Sequence, residues 1–145
     1  MKLIAHRGNI TGPNKDLENN PAYILNAISQ GFDTEIDVWS INGSIFLGHD
    51  KPEYKVLNNF LFNSKFWCHA KNIEALKFML ENNIHCFWHQ EDDYTITSKN
   101  KIWVYPNKLL VTNSICVMPE VGFQGNISDC HGICSDYIGY FTNKI

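Results

Sequence analysis

The chain lacks the features that would place it in several large functional classes. No apolar run approaches the ~20 residues a membrane-spanning helix needs. The opening Met1-Lys2-Leu3-Ile4-Ala5-His6-Arg7 has no long apolar stretch and no cleavage site, so no signal peptide is expected and the default location is cytoplasmic. Positive charge is not in excess: 12 Lys and Arg face 15 Asp and Glu, a net charge of −3. That balance argues against a nucleic-acid partner, which calls for a basic face. It leaves an anionic small molecule open, because a bound metal supplies positive charge locally. Internal repeats, low-complexity tracts and linkers are absent, and 145 residues suit one domain over 1–145.

Cysteine usage is odd in number. Cys68, Cys86, Cys116, Cys130 and Cys134 cannot all pair, and three of them lie in apolar strand-like runs. Reduced, buried thiols are expected. Cys130-His131-x-x-Cys134 has the look of half a zinc site, but no second ligand pair at usable spacing accompanies it.

What the chain does have is a rhythm of short apolar runs that end in polar words. Lys2–Ala5 is a predicted strand stopping at His6-Arg7-Gly8. Asn19-Asn20-Pro21 caps a predicted helix that runs to Gly31. Asp33–Val38 is the next strand, Ile41-Asn42-Gly43-Ser44 a hairpin turn, and Ile45–Leu47 the return strand before Gly48-His49-Asp50. Phe66–His69 reads as a buried strand. Asn72–Asn83 reads as an amphipathic helix with Ile73, Leu76, Met79 and Leu80 on one side. Ile84–Trp88, Lys101–Tyr105, Ser114–Met118 and Gly132–Ser135 complete the strands, joined by turns. The front half alternates strand and helix, which suggests parallel βαβ units.

The chemistry sits at the ends of these strands. Glu35 and Asp37 alternate with Thr34, Ile36 and Val38, so both carboxylates share one face. Two such acids repel unless a cation neutralises them, and hard divalent ions suit the arrangement; an exposed strand face with two solvated acids is the alternative. His6 and His49 each follow a strand and can act as general acid and base. Arg7 can hold a phosphate through two donors. Taken singly, each has a plainer role as a surface or packed side chain.

The words in order, His6-Arg7-Gly8, Glu18-Asn19, Glu35-x-Asp37-Val38 and His49-Asp50, resemble the glycerophosphodiester phosphodiesterases of the phospholipase C-like phosphodiesterase superfamily. The likeness is strong over about the first fifty residues. Later it is weak: His69-Ala70-Lys71 is similar to the family's Glu-x-Lys, and Ile133-Cys134-Ser135-Asp136 to its final strand. The resemblance implies an acid/base pair in His6 and His49, phosphate binding by Arg7 and Lys71, support from Glu18, and a divalent metal (Mg²⁺, Mn²⁺ or Ca²⁺) on Glu35 and Asp37. It implies a (β/α)₈ barrel with its site at the C-terminal rim of the strands.

Two departures follow. The family's third metal carboxylate is replaced by His69, an acceptable ligand for Mn²⁺ or Zn²⁺ and a poor one for Ca²⁺; Glu120 and Glu91 are the other candidates for the place. A full barrel needs ~250 residues, or ~200 at the lower end. The expected fold is therefore α/β: a reduced TIM-type (β/α) barrel lacking several crossover helices in its C-terminal half. His89 and Glu120 are further candidates to touch substrate. Trp39, Trp67, Trp88, Trp103 and Tyr54 are core or sugar-facing aromatics. The function so read is hydrolysis of a small glycerophosphodiester-like or sugar phosphodiester. The alternatives are a non-catalytic phosphate or sugar-phosphate binding module, and a lyase-type cleavage on the same scaffold.

Overall fold

The computed structural model describes residues 1–142. Its strands are β1 (Lys2–His6), β2 (Asp33–Ile41), β3 (Ser44–Leu47), β4 (Tyr54–Val56), β5 (Phe66–Ala70), β6 (Cys86–Phe87), β7 (Tyr94–Ile96), β8 (Ile102–Val104), β9 (Ser114–Val117) and β10 (Gly132–Ser135). The helices are α1 (Pro21–Ser29) and α2 (Ile73–Glu81), with short 3₁₀ turns elsewhere.

The ten strands form one mixed sheet. Strands β6, β5, β2, β1, β10, β9 and β8 lie side by side in that order, each parallel to the next. The long β2 pairs β1 along its first half and the antiparallel β3 along its second, and β4 adds to β3. β7 closes the other end antiparallel to β8. No ladder joins β6 to β8 among the described residues, so the sheet curls without closing.

This corrects the expectation of a TIM-type (β/α) barrel. The protein is a mostly-sheet, curled half-barrel with two short helices. The cause is the length and composition of its connections. Residues 88–93, 105–113 and 118–131 link β6 to β7, β8 to β9 and β9 to β10. The first two are too short for a crossover helix of about 10–12 residues. The third carries Pro119, Gly122 and Gly125, which break helices.

Both helices start as their caps dictate. The Asn20 side chain accepts from Ala22 N, with Pro21 in the first turn, and the Asn72 side chain accepts from Ala75 N. The buried face of α2 differs from the sequence reading: Ala75 and Met79 are fully buried while Ile73 and Leu80 are 63% and 53% exposed. The (i, i+4) pair Ala75/Met79 presents the narrower surface, so the helix lies closer to the sheet.

Alternation along the strands sorts the core into two layers. Ile36, Val38, Phe66, Cys68 and Ala70 pack outward against α2 and the β3–β4 hairpin. Ala5, Cys116 and Ile133 face outward near Ala27 of α1. Ile4, Trp67, Phe87, Trp103, Ile115, Val117 and Cys134 fill the concave side. On that same side, above this apolar floor, the strand ends carry polar groups. Cys130 and Cys134 fall in different layers, so the Cys-His-x-x-Cys stretch forms no ligand pair, and all five cysteines are free and buried.

Candidate functional site

His6 ends β1, Glu35 and Asp37 lie in β2, His49 follows β3, and His69 lies in β5 with Lys71 just beyond it. His6, Arg7, Glu35, His49, His69 and Lys71 all line one cleft of about 410 Å³ at the C-terminal ends of the parallel strands. Glu18 stands behind Arg7, its Oε2 3.1 Å from Nη1. His89 lines the cleft from the loop after β6.

The turn after β1 positions two of these groups. Arg7 has a left-handed backbone (φ 54°), a conformation a long side chain adopts at a cost and one that collects at functional sites. It is held there because Arg7 N donates to the Glu35 carbonyl at 3.0 Å and Asn19 N donates to the Arg7 carbonyl at 3.1 Å.

Asp37 is the hub. Its backbone N–H donates to Asn19 Oδ1 and its Oδ2 accepts from Asn19 Nδ2, both at 2.9 Å. The same Oδ2 lies 3.2 Å from Arg7 Nε and 3.3 Å from His49 Nδ1. Oδ1, fully buried, makes no well-formed hydrogen bond; it faces His69 Nδ1 at 3.1 Å and Lys71 Nζ at 3.6 Å. Burial alone would raise the Asp37 pKa, but His49, His69 and Arg7 outweigh it and hold the carboxyl well below its usual range. Glu35 goes the other way. Burial and the neighbouring Asp37 charge raise it, against smaller opposing effects of His6, Arg7 and His69.

The ring nitrogens are assigned by their partners. His69 Nε2 lies 2.9 Å from the His89 carbonyl, which only accepts, so Nε2 carries the proton. The lone pair of neutral His69 then sits on Nδ1, 3.1 Å from Asp37 Oδ1 and 3.9 Å from Glu35 Oε1. Either a proton on Nδ1 or a bound cation would relieve the repulsion between that nitrogen and the two carboxylates. One ligand atom from each of Glu35, Asp37 and His69 falls within 4.8 Å of the other two, the spacing a metal ion requires. A backbone carbonyl fixing the far nitrogen of a ligating imidazole is the usual arrangement around a metal. With all four carboxyls ionised, Glu18, Glu35, Asp37 and Asp136 against Arg7 and Lys71 leave an excess of two negatives, apart from the imidazoles, although the raised pKa of Glu35 reduces it. The donor set therefore fits one divalent cation.

His6 Nδ1 lies 2.8 Å from Asp136 Oδ1 and donates to it, leaving Nε2 toward Glu35 Oε2 at 3.9 Å. Burial lowers the His6 pKa, but the Asp136 hydrogen bond and the Glu35 charge prevail and raise it. His49 is more exposed, 41% at the side chain; its Nε2 accepts from Arg7 Nη2 at 3.3 Å.

Sequence reasoning missed the supporting residues. Asp136 orients His6 from across 130 residues of chain, through the β1–β10 pairing. Asn9 donates to both Asp136 Oδ1 and Glu18 Oε1, joining the two halves of the site. Glu120 does not line the cleft. Its carboxylate accepts from Asp136 N and Ser135 Oγ, both at 2.9 Å, and fixes the exit of β10. Glu91 is exposed and away from the cluster, and Tyr54 Oη reaches the Asp16 carbonyl instead of the cleft. The signal that was present for Asp136 is that it follows a strand as His6 and His49 do.

No protein-family model, curated protein or solved structure matches the chain. No helix among the described residues is long and apolar enough to cross a membrane.

Proposed function

We propose that the protein is a metal-dependent phosphodiesterase acting on a small diester. The observation that carries this reading is the gathering of His6, His49, Arg7 and Lys71 and the Glu35–Asp37–His69 cluster around one cleft.

The residues divide the work by position. Glu35, Asp37 and His69 Nδ1 would hold a divalent ion, which when bound acts as a Lewis acid on a phosphate oxygen. Arg7 and Lys71 neutralise the remaining phosphate charge. In the free protein Arg7 Nη2 occupies His49 Nε2. An arriving phosphate competes for that guanidinium and frees Nε2 to give or take a proton. His6 Nε2 is already free of a close partner, with Asp136 fixing the opposite nitrogen. The two imidazoles thus form an acid/base pair: one activates the nucleophile, the other protonates the leaving oxygen. Each is expected to contribute roughly 10²–10⁴-fold.

The test is an assay of metal-stripped full-length chain on bis-p-nitrophenyl phosphate and glycerophosphodiesters, with Mg²⁺, Mn²⁺, Ca²⁺ and Zn²⁺ returned singly. Metal-dependent hydrolysis that falls by roughly 10²–10⁴-fold in both His6→Ala and His49→Ala supports the reading. A diester that binds without turnover under every metal would make the site a binding module instead.

A further inference from the structure

The cleft has two unlike walls. The catalytic groups occupy one. The other is built by the ends of β8 and β9 from Trp103, Tyr105, Pro106, Val117 and Met118, none of them charged. We infer that this far wall is a subsite for a flat aromatic group on one alcohol of the diester, an inference that rests on the phosphodiesterase reading for the position of the phosphate.

Three observations support it. First, rings run in series from the metal cluster to the wall. His69 stacks on Phe87 at 5.1 Å and 8°, and Phe87 stacks on Trp103 at 4.6 Å and 28°. The His89 and Tyr105 rings lie 5.6 Å apart at 45°. Trp103 is itself only 4% exposed, so an entering planar ring would meet mainly Tyr105, with Trp103 beside it. Tyr105 is 48% exposed, a large aromatic with surface still open to a partner.

Second, a second hollow of about 520 Å³ shares Arg7 and His49 with the cleft. It is lined by Lys15, Glu18, Asp50, Lys51 and Glu53, which suit hydroxyls and water. With phosphate at Arg7 and His49, each alcohol has its own hollow, one lined by charged side chains and one by rings. Third, the cleft falls within the ~300–1,000 Å³ that takes a ligand well beyond a bare phosphate.

The experiment is calorimetric titration of the Mn²⁺-loaded full chain with phenyl phosphate and with glycerol 3-phosphate. It is paired with the NMR signal of the Trp103 indole during addition of benzyl alcohol. Phenyl phosphate should bind about five- to tenfold tighter. Tyr105→Ala should collapse that ratio and Tyr105→Phe should keep it. Benzyl alcohol should shift the Trp103 signal. Equal affinities in the wild type, a ratio that survives Tyr105→Ala, or an unmoved Trp103 signal each overturns the subsite. A Trp103 shift with neither phosphate bound keeps the subsite and removes the phosphodiesterase reading. Phosphates bound equally with no Trp103 shift do the reverse.

Discussion

His69 Nδ1 approaches Asp37 Oδ1 to 3.1 Å although that oxygen has no well-formed hydrogen bond, while the ring's other nitrogen donates to the His89 carbonyl. With Glu35, the pair forms a cluster that could hold a metal ion. The neighbours of both are set from elsewhere: Asn19 clamps Asp37, and the His89 carbonyl anchors His69.

The metal preference follows from that pair. With an imidazole as third ligand, Mn²⁺ and Zn²⁺ are expected to bind more tightly than Mg²⁺ and Ca²⁺. His69→Glu should move the ranking toward the harder ions, and His69→Ala should weaken Mn²⁺ by at least about tenfold. Calorimetric titration of the three proteins checks this. An identical ranking in wild type and His69→Glu would take His69 out of the coordination sphere.

Asp136 acts through His6. Asp136→Asn keeps the shape of the side chain but removes the charge that holds the imidazole. Turnover is expected to fall by at least about tenfold, while Mn²⁺ affinity and KM stay near wild type. Glu120→Gln, one step further back, should give a weaker form of the same split. A loss of metal affinity in Asp136→Asn would mean that the residue shapes the metal cluster instead.

The pH dependence of stability has an identifiable source at the other end of the sheet. Burial first, and then the charge of Lys99, push the His85 imidazole down to about 4. Its Nε2 pairs with Thr97 Oγ1 at 2.8 Å and its ring lies 4.2 Å from that of Trp67. The folded state therefore keeps His85 neutral where the unfolded chain, with a pKa near 6.5, takes up a proton. The stability tied to this group is fully present above pH ~6.5 and declines as pH falls toward ~4. Between pH 7 and pH 4 the urea midpoint of wild type should fall by more than that of His85→Gln. Parallel curves across that range would rule out this source.

Gly48 controls where His49 points. Its φ of 151° lies where side chains rarely go, and an added Cβ would run into the Lys51 carbonyl. The Gly48 carbonyl also accepts from Trp39 Nε1 at 2.7 Å. Gly48→Ala is expected to cost about 1–3 kcal/mol of stability and to cut turnover as the His49 ring moves. Urea unfolding and the diester assay measure the two effects. An alanine protein with wild-type rate would show that the loop tolerates the shift.

The words at the strand ends could be read from the chain because each is local: a few apolar residues, then a polar turn. The capped helix starts at Asn20 and Asn72 were legible for the same reason. What failed was extrapolation from them. The strand–helix alternation of the front half suggested a complete set of crossovers, yet the back half crosses over in loops. β4 and β7, with three residues each, offer no periodicity to detect. Asp136 and Asn9 lie far apart in sequence, and nothing local to either reports that β1 and β10 are neighbours. Ile73 and Leu80 matched a helical stripe, but the actual stripe was decided by how closely the small Ala75 lets α2 approach the sheet.

The unclosed line between β6 and β8 has a mechanical meaning. Near its lower end it is stitched by Ser98, whose N–H donates to the Cys86 carbonyl at 2.8 Å and whose Oγ accepts from Cys86 N at 3.0 Å. Higher up it is spanned by the Phe87–Trp103 ring contact and by one hydrogen bond, from Thr95 Oγ1 to the Trp88 carbonyl at 2.8 Å. Ring contacts slide at little expense, whereas ladder hydrogen bonds break one by one. The seam is therefore the line along which the sheet would part with few hydrogen bonds broken. Any spreading of the sheet widens the floor under His69 and Trp103 first, and that is where a ligand larger than the resting cleft would gain entry.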